Sequence, residues 1–351
     1  MNTPQRLRLL LVLLVGASAV TVAVVGYLSW WRSRLVGVIR AVNADRVAEL
    51  DRLVAPLDYV FCHPDGRRIA SFRFNEPIRL YQLRGLRALE TSFGRQCYHV
   101  AFDASGRYLA FSESDSKRNQ VHLATVGGQL LHSFVVKESQ PGVVFSPDGK
   151  TLVTGGYGSY VRLFRVADAK FLQKIQIPGA IGALTPRFSP DGKWLAVGNR
   201  NGVTRIFHAQ TGKPARSLGR RMTQGLNFSP DGATLAICYV DGKVGLWTVA
   251  TGKLEALLDS QGEEAYVVAW SLDGTVLATG GHKTPLLLWD VSKREVIKAL
   301  DRPQYIMGLE FSPNGKRLLS TLADPVTDGP TRDASGFPNL ARRLVVWGIP
   351  E

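Results

Sequence analysis

Phe145-Ser-Pro-Asp-Gly149, Phe188-Ser-Pro-Asp-Gly192 and Phe228-Ser-Pro-Asp-Gly232 are three copies of one phrase, and their recurrence decides the fold. Looser copies extend the series in both directions. Phe61-Cys-His-Pro-Asp-Gly66 and Phe102-Asp-Ala-Ser-Gly106 come before; Trp270-Ser-Leu-Asp-Gly274 and Phe311-Ser-Pro-Asn-Gly315 come after. The leading aromatics lie 40 to 43 residues apart. Each residue of the phrase has a local reason. Pro holds φ near about −65° at the first central position, Asp or Asn tolerates the next, and Gly supplies the positive φ with which the chain re-enters a strand. The phrase is a tight turn between two strands.

The sequence after each turn is regular too. A short apolar strand follows, such as Trp194-Leu-Ala-Val197 or Thr234-Leu-Ala-Ile237, then a glycine turn, Asn201-Gly202 or Asp241-Gly242. Such pairs are strong hairpin signals. An alternating strand ending in an aromatic comes next: Val203-Thr-Arg-Ile-Phe207, Val244-Gly-Leu-Trp247, Leu286-Leu-Leu-Trp289, Leu344-Val-Val-Trp347. A fourth strand such as Lys253-Leu-Glu-Ala-Leu257 completes the unit. Four strands in about 42 residues is the period of a propeller blade. Seven copies therefore predict an all-β, seven-bladed β-propeller of four-stranded blades. The 35 glycines and 18 prolines, free of a collagen-like period, suit many short strands and tight turns.

The last copy ends at Leu344-Val-Val-Trp347, without a fourth strand. Val47-Ala-Glu-Leu50-Asp51-Arg52 matches Val296-Ile-Lys-Ala-Leu300-Asp301-Arg302, and its distance to the next turn is the same. Residues 46–54 are thus expected to close the last blade, removing an open sheet edge.

These motifs resemble the WD-repeat β-propeller family, over about residues 46–351. Only Trp289-Asp290 spells the family's Trp-Asp dipeptide, and the Gly-His that precedes the inner strand in that family is missing throughout. The resemblance implies the architecture and carries little about a particular function.

Ahead of the repeats, residues 9–31 carry no charge. As a helix they would reach ~34 Å, enough for a hydrocarbon core of ~30 Å. Arg6 and Arg8 flank one end, and Arg32 and Arg34 the other, where Tyr27, Trp30 and Trp31 suit the interface. Ala17-Ser18-Ala19 has the form of a signal-peptide cleavage site, but the apolar run continues past it. The expectation is a tail (1–8), one N-terminal transmembrane helix (9–31), a juxtamembrane linker (32–45) and the propeller. That is a single-pass membrane protein with the propeller outside the cytoplasm.

No catalytic motif is present: no GxSxG, HExxH or P-loop. The six histidines fall at unrelated positions of the repeat, and His63, standing where other copies have Ser, is expected to face solvent. Cys62, Cys97 and Cys238 form neither a disulfide framework nor a metal knuckle. On the innermost strands most positions are small, while Asp58, His99, Arg187 and Glu310 break the rule; polar pairs between blades would account for them. No metal, cofactor or enzymatic activity is expected.

The formal net charge of +14 attracts anions. The bases are scattered, so an anionic ligand fits better than nucleic acid. One departure from the repeat is large: Asp324 to Ala341, with Pro325, Pro330 and Pro338, lies where other blades have a short turn. Long loops in compact folds are usually functional or disordered, and a solvated loop is the alternative here. Its charged residues Asp324, Asp328, Arg332, Asp333, Arg342 and Arg343, with Arg220 and Arg221 of another blade, form the expected partner-binding set. Ser112 to Gln120, with Lys117 and Arg118, opens onto the same face. The leading reading is a membrane-tethered, non-catalytic scaffold binding a protein or anionic partner. The alternative is a sensor or accessory domain of an envelope enzyme system, with a small ligand in the central channel.

Overall fold

The computed structural model describes residues 48–54, 59–72, 76–114, 118–137, 139–180, 185–199, 202–301, 303–325 and 340–348. Among these the strands form seven four-stranded antiparallel sheets, two of them joined by a single bridge, His282 to Tyr305. Each sheet runs from an innermost first strand to an outermost fourth. Blade 1 is Tyr59–Cys62, Arg68–Phe72, Ile78–Gln82 and Ala88–Phe93; blade 4 is Thr185–Phe188, Trp194–Gly198, Thr204–His208 and Pro214–Leu218. Blade 7 is composite. Its first three strands are Tyr305–Phe311, Arg317–Pro325 and Leu340–Gly348, and its fourth is Ala48–Val54, paired from Ala48–Gly348 to Val54–Arg343 with one bulge. First strands of neighbouring blades touch all the way round, including blade 1 on blade 7, so the ring is closed.

The recurrent turn is built as its residue types require. In blade 4, Ser189 Oγ donates to Asp191 Oδ1 (2.6 Å) and accepts from Trp194 N (2.9 Å), while Asp191 Oδ1 accepts from Lys193 N (3.0 Å). Gly192 turns with φ 69° and donates to Ser189 O. The pattern repeats at Ser146, Ser229, Ser271 and Ser312, with Asn314 in the aspartate's place in the last. Blade 2 exchanges the two roles: Asp103 accepts from Tyr108 N (2.7 Å), and Ser105 donates to Asp103. His63 corrects an expectation. It is 3% exposed, accepts from Asp65 N through Nδ1 (3.1 Å), and reaches Gly106 O of blade 2 through Nε2 (2.7 Å). An imidazole is long enough to fill the Ser position and still bridge to the next blade.

The core lies between blades. Val60, Ile69 and Tyr81 of blade 1 pack with Leu319, Leu344 and Val346 of blade 7; Leu246 and Leu258 of blade 5 pack with Trp289 of blade 6. Trp289 and Trp347 also satisfy their indole N–H groups, on Thr279 Oγ1 (2.8 Å) and Ser320 Oγ (2.9 Å). The third-strand aromatic thus works as an apolar wedge with a tethered polar tip.

Two further expectations change. Both long excursions are strand for part of their length: blade 7 stays paired to Asp324–Ala341 and Pro325–Leu340, and blade 2 to Ser114–Asn119. The membrane localisation is also corrected. Every described element is a strand of a blade sheet apart from one turn of 3-10 helix, Arg84–Leu86, and among the described residues no helix is long and apolar enough to cross a membrane. The segment 9–31 on which that expectation rested lies outside the described residues.

Candidate functional site

Turns between second and third strands share a face with the connections between blades. There the backbone is tightly fitted. A Cβ on Gly242 would lie 2.4 Å from Gly262 O in the following connection, at φ 75°. The turn glycine is therefore required twice over, by its dihedral and by the approach of the next segment.

Charged pairs, exposed in blade 5 and half-buried in blade 7, lie along this face. Arg221 binds Asp241, and its guanidinium lies 5.9 Å from the centre of the Tyr239 ring. Lys243 meets Asp259 at 2.6 Å. Glu263 meets Lys283 at 2.7 Å and His282 Nδ1 at 3.2 Å. His282 stacks on Tyr305 and contacts the Gln304 side chain, whose backbone N donates to Asp324 Oδ1 (2.8 Å). Arg343 then bridges Asp324 and Asp301, the latter at 2.8 Å. The Lys283 ammonium holds the Glu263 carboxyl below its ordinary value, and the Lys243 ammonium does the same for Asp259.

Of the expected partner-binding residues, the structure joins Asp324 to Arg343 at the base of the blade 7 excursion. Arg221 pairs within its own blade, two blades away. Arg220 is exposed, its carbonyl against Gly202, and Arg342 is half-buried on the third strand of blade 7. Asp328, Arg332 and Asp333 lie outside the described residues. Sequence reasoning passed over Asp241, Asp259, Glu263, His282 and Asp301. The position of each, at a strand end on this face, was readable; their partners belong to other strands and were not.

A second constellation sits on the axis. His99 of blade 2, Arg187 of blade 4 and Glu310 of blade 7 are half-buried on innermost strands. The expectation of polar pairs between blades is met by His99 and Glu310, which bond to blades 3 and 1, though none of the three bonds to another. Arg187 Nη1 donates to the adjacent Pro186 O (3.0 Å), Glu310 Oε2 accepts from Cys62 N (2.7 Å), and His99 Nδ1 accepts from Val143 N (3.4 Å). They are nonetheless coupled. Burial, and then the Arg187 charge, push the His99 imidazole down to about 3. Burial pushes Glu310 up to about 8, against the pull of the Cys62 N–H and Arg187. Asp58 lies outside the described residues.

Seven four-stranded blades closed by a strand from the opposite end of the chain define a β-propeller. Comparison with known proteins adds the family. The profile of the WD domain, G-beta repeat matches residues 128–165 and 171–208, where blades 2, 3 and 4 meet. The chain is 32% identical over 103 residues to the small ribosomal subunit protein RACK1y of Oryza sativa subsp. japonica, covering 29% of this chain and 31% of that protein. It is 32% identical over 95 residues to eukaryotic translation initiation factor 3 subunit I of Aspergillus oryzae, covering 27% and 28%. Residues 128–208 thus carry two WD repeats, and the propeller around them resembles those of WD-repeat proteins. These matches span about a third of each relative's own length. The names of these relatives, a ribosomal subunit protein and an initiation factor subunit, lend no support to a membrane location, and that expectation is dropped.

Proposed function

We propose that this propeller is a non-catalytic platform that holds a protein partner on the face bearing the chain of charge pairs. The observation that carries the reading is the base of the blade 7 excursion, where Arg343 is clamped by Asp301 and Asp324 at the end of a strand pair longer than its counterpart in blade 4. The clamp fixes the two ends from which residues 326–339 depart. Arg220, Arg221, Asp324, Asp328, Arg332, Asp333, Arg342 and Arg343 supply mixed charge, which suits a polar protein surface. The names of the relatives, a ribosomal subunit protein and an initiation factor subunit, place comparable sequences within larger assemblies.

The test replaces residues 326–339 with Asn-Gly, leaving the Pro325–Leu340 pair as the end of a two-residue hairpin. A photocrosslinker at Arg220 is compared with one at Lys193, on the opposite face. Crosslinks from position 220 that the shortened loop abolishes support the reading. Crosslinking from position 193 alone, or unaffected by the shortening, moves the site elsewhere.

A further inference from the structure

At the rim, blade 3 is strapped to blade 4, and blade 4 to blade 5, by a side chain of the fourth strand. It stands opposite the residue before the third-strand aromatic: Gln173 in blade 3, Arg216 in blade 4 and, at the same position of blade 5, Ala256. Gln173 Nε2 donates to Gln210 O of blade 4 (3.2 Å), and Arg216 Nη2 donates to Ala250 O of blade 5 (2.7 Å). Each strap crosses a turn whose glycine leaves it room. A Cβ on Gly212 would lie 2.9 Å from Gln173 Oε1, and one on Gly252 would lie 3.4 Å from Arg216 Cδ. Between blades 5 and 6 both partners change together. Ala256 has no polar group with which to reach the corresponding carbonyl, that of Ser292, and Arg294 replaces the turn glycine. Arg294 nevertheless keeps the glycine's conformation, with φ 61° and the same kind of backbone bond, to Asp290 O (2.8 Å). A side chain is strained in that left-handed region, so the arginine is held at a cost to the fold.

Where the strap is missing, a groove of about 430 Å³ opens. Ligand sites fall in the range of about 300–1,000 Å³. Buried Leu258 and Trp289 and exposed Leu257 and Val296 give the groove an apolar lining. Two charged residues, Asp259 and Arg294, also line it, and Asp259 is already answered by Lys243 at 2.6 Å. The groove is therefore apolar with a cationic edge. Lys253–Asp259 is the last strand of its sheet, so an extended segment can pair along it. We propose that the groove between blades 5 and 6 is a docking site for an extended acidic peptide segment of a protein partner, which lays an apolar side chain against Leu258 and Trp289 and a carboxylate on Arg294. A guanidinium fork takes both oxygens of a carboxylate at once. No groove residue belongs to the charged set proposed for the partner face, so the two sites stand or fall separately.

Selection of a displayed library of random heptapeptides on the full-length protein tests the proposal, followed by fluorescence polarisation with the most enriched peptide. The expected peptides combine an apolar residue with Asp or Glu. Ala256→Arg together with Arg294→Gly rebuilds the blade 4 strap over the groove and is expected to weaken binding at least about tenfold, since the strap and the peptide compete for the same space. Arg294→Gly alone leaves the groove open and is expected to weaken binding about threefold to tenfold, with most of its salt dependence lost. Both variants return the chain to residues its own repeat uses, and circular dichroism melts check that they fold. Should the double variant fail to fold, Arg294→Gly and the salt dependence decide. Replacing residues 326–339 with Asn-Gly is expected to leave the affinity unchanged, which separates this site from the partner face. The proposal is overturned by no enrichment on the wild type, by enriched peptides without Asp or Glu, by binding that the strap or Arg294→Gly leaves intact, or by binding lost with residues 326–339.

Discussion

The two faces of the propeller use the same kinds of residue for opposite ends. On the face of the Ser-Pro-Asp-Gly turns, Ser189, Ser229 and Ser312 are buried, and each hydroxyl both donates to the turn's own Asp or Asn and accepts from its backbone. Each turn also sits against its neighbour. A Cβ on Gly192 would meet Pro147 of blade 3 at 3.7 Å, and one on Gly66 would meet Pro313 of blade 7 at 3.9 Å, which carries the series round the closure. On the other face, Arg221 and Asp241 pair while each is 46% exposed. Repetition marks the face where polar groups are consumed by the fold. Irregularity marks the face where they stay available.

The comparison breaks most severely at the closure. Deleting residues 48–54 strips Leu340–Gly348 of its outer partner, and the expected outcome is loss of a single cooperative thermal transition, followed by circular dichroism. A smaller effect belongs to Gly242→Ala, expected to destabilise by about 2–4 kcal/mol in urea unfolding, because backbone and not a flexible side chain blocks the new methyl. Such a loss would show that the irregular face has a rigid backbone beneath its mobile charges. Ser229→Ala removes a buried acceptor for Thr234 N and is expected to cost about 1–2 kcal/mol.

The same turns set an acid limit. Hydrogen bonds from the Ser146 and Ser229 hydroxyls hold the Asp148 and Asp231 carboxyls below their ordinary value. A depressed folded-state pKa contributes stability that is present above the unfolded value of about 3.9 and is lost as pH falls through the folded one. The stability curve should therefore decline below about pH 4, and less steeply in Ser229→Ala. The smallest effect is Arg221→Ala, at most about 1 kcal/mol for an exposed pair, with partner crosslinking reduced all the same. A melting temperature that drops by more would mean that Arg221 serves the fold, and the contrast between the faces would be gone.

The repeat was legible because each turn residue acts within five positions of itself. Ser, Asp and Gly bond one another, so seven copies could be read one at a time. The closing strand was legible for a different reason: Leu50 repeats the spacing of Leu300, so a missing element had a visible substitute. His63 was misread because its second bond goes to Gly106 in another blade, a contact that no local pattern encodes. His99, Arg187 and Glu310 were noticed as breaches of pattern and read as polar pairs between blades; His99 and Glu310 do bond to backbone N–H groups of the next blade. Those partners, Val143 and Cys62, stand 44 and 248 positions away, a separation that only ring geometry spans. The same limit holds for Arg343, whose partner Asp301 stands 42 positions away.

The composite blade sets a timetable. The strand Ala48–Val54 is made early, and its partner Leu340–Gly348 leaves the ribosome about 290 residues later. At about 5–20 residues per second, the first strand waits roughly 15–60 s with its hydrogen-bonding edge open. Blades 1 to 6 each draw all four strands from one continuous stretch and can form as they emerge, yet the ring stays a gapped arc throughout. The nascent chain is accordingly most exposed to chaperones and to edge-to-edge aggregation just before its final strand appears, and the last hairpin converts that arc into a stable molecule.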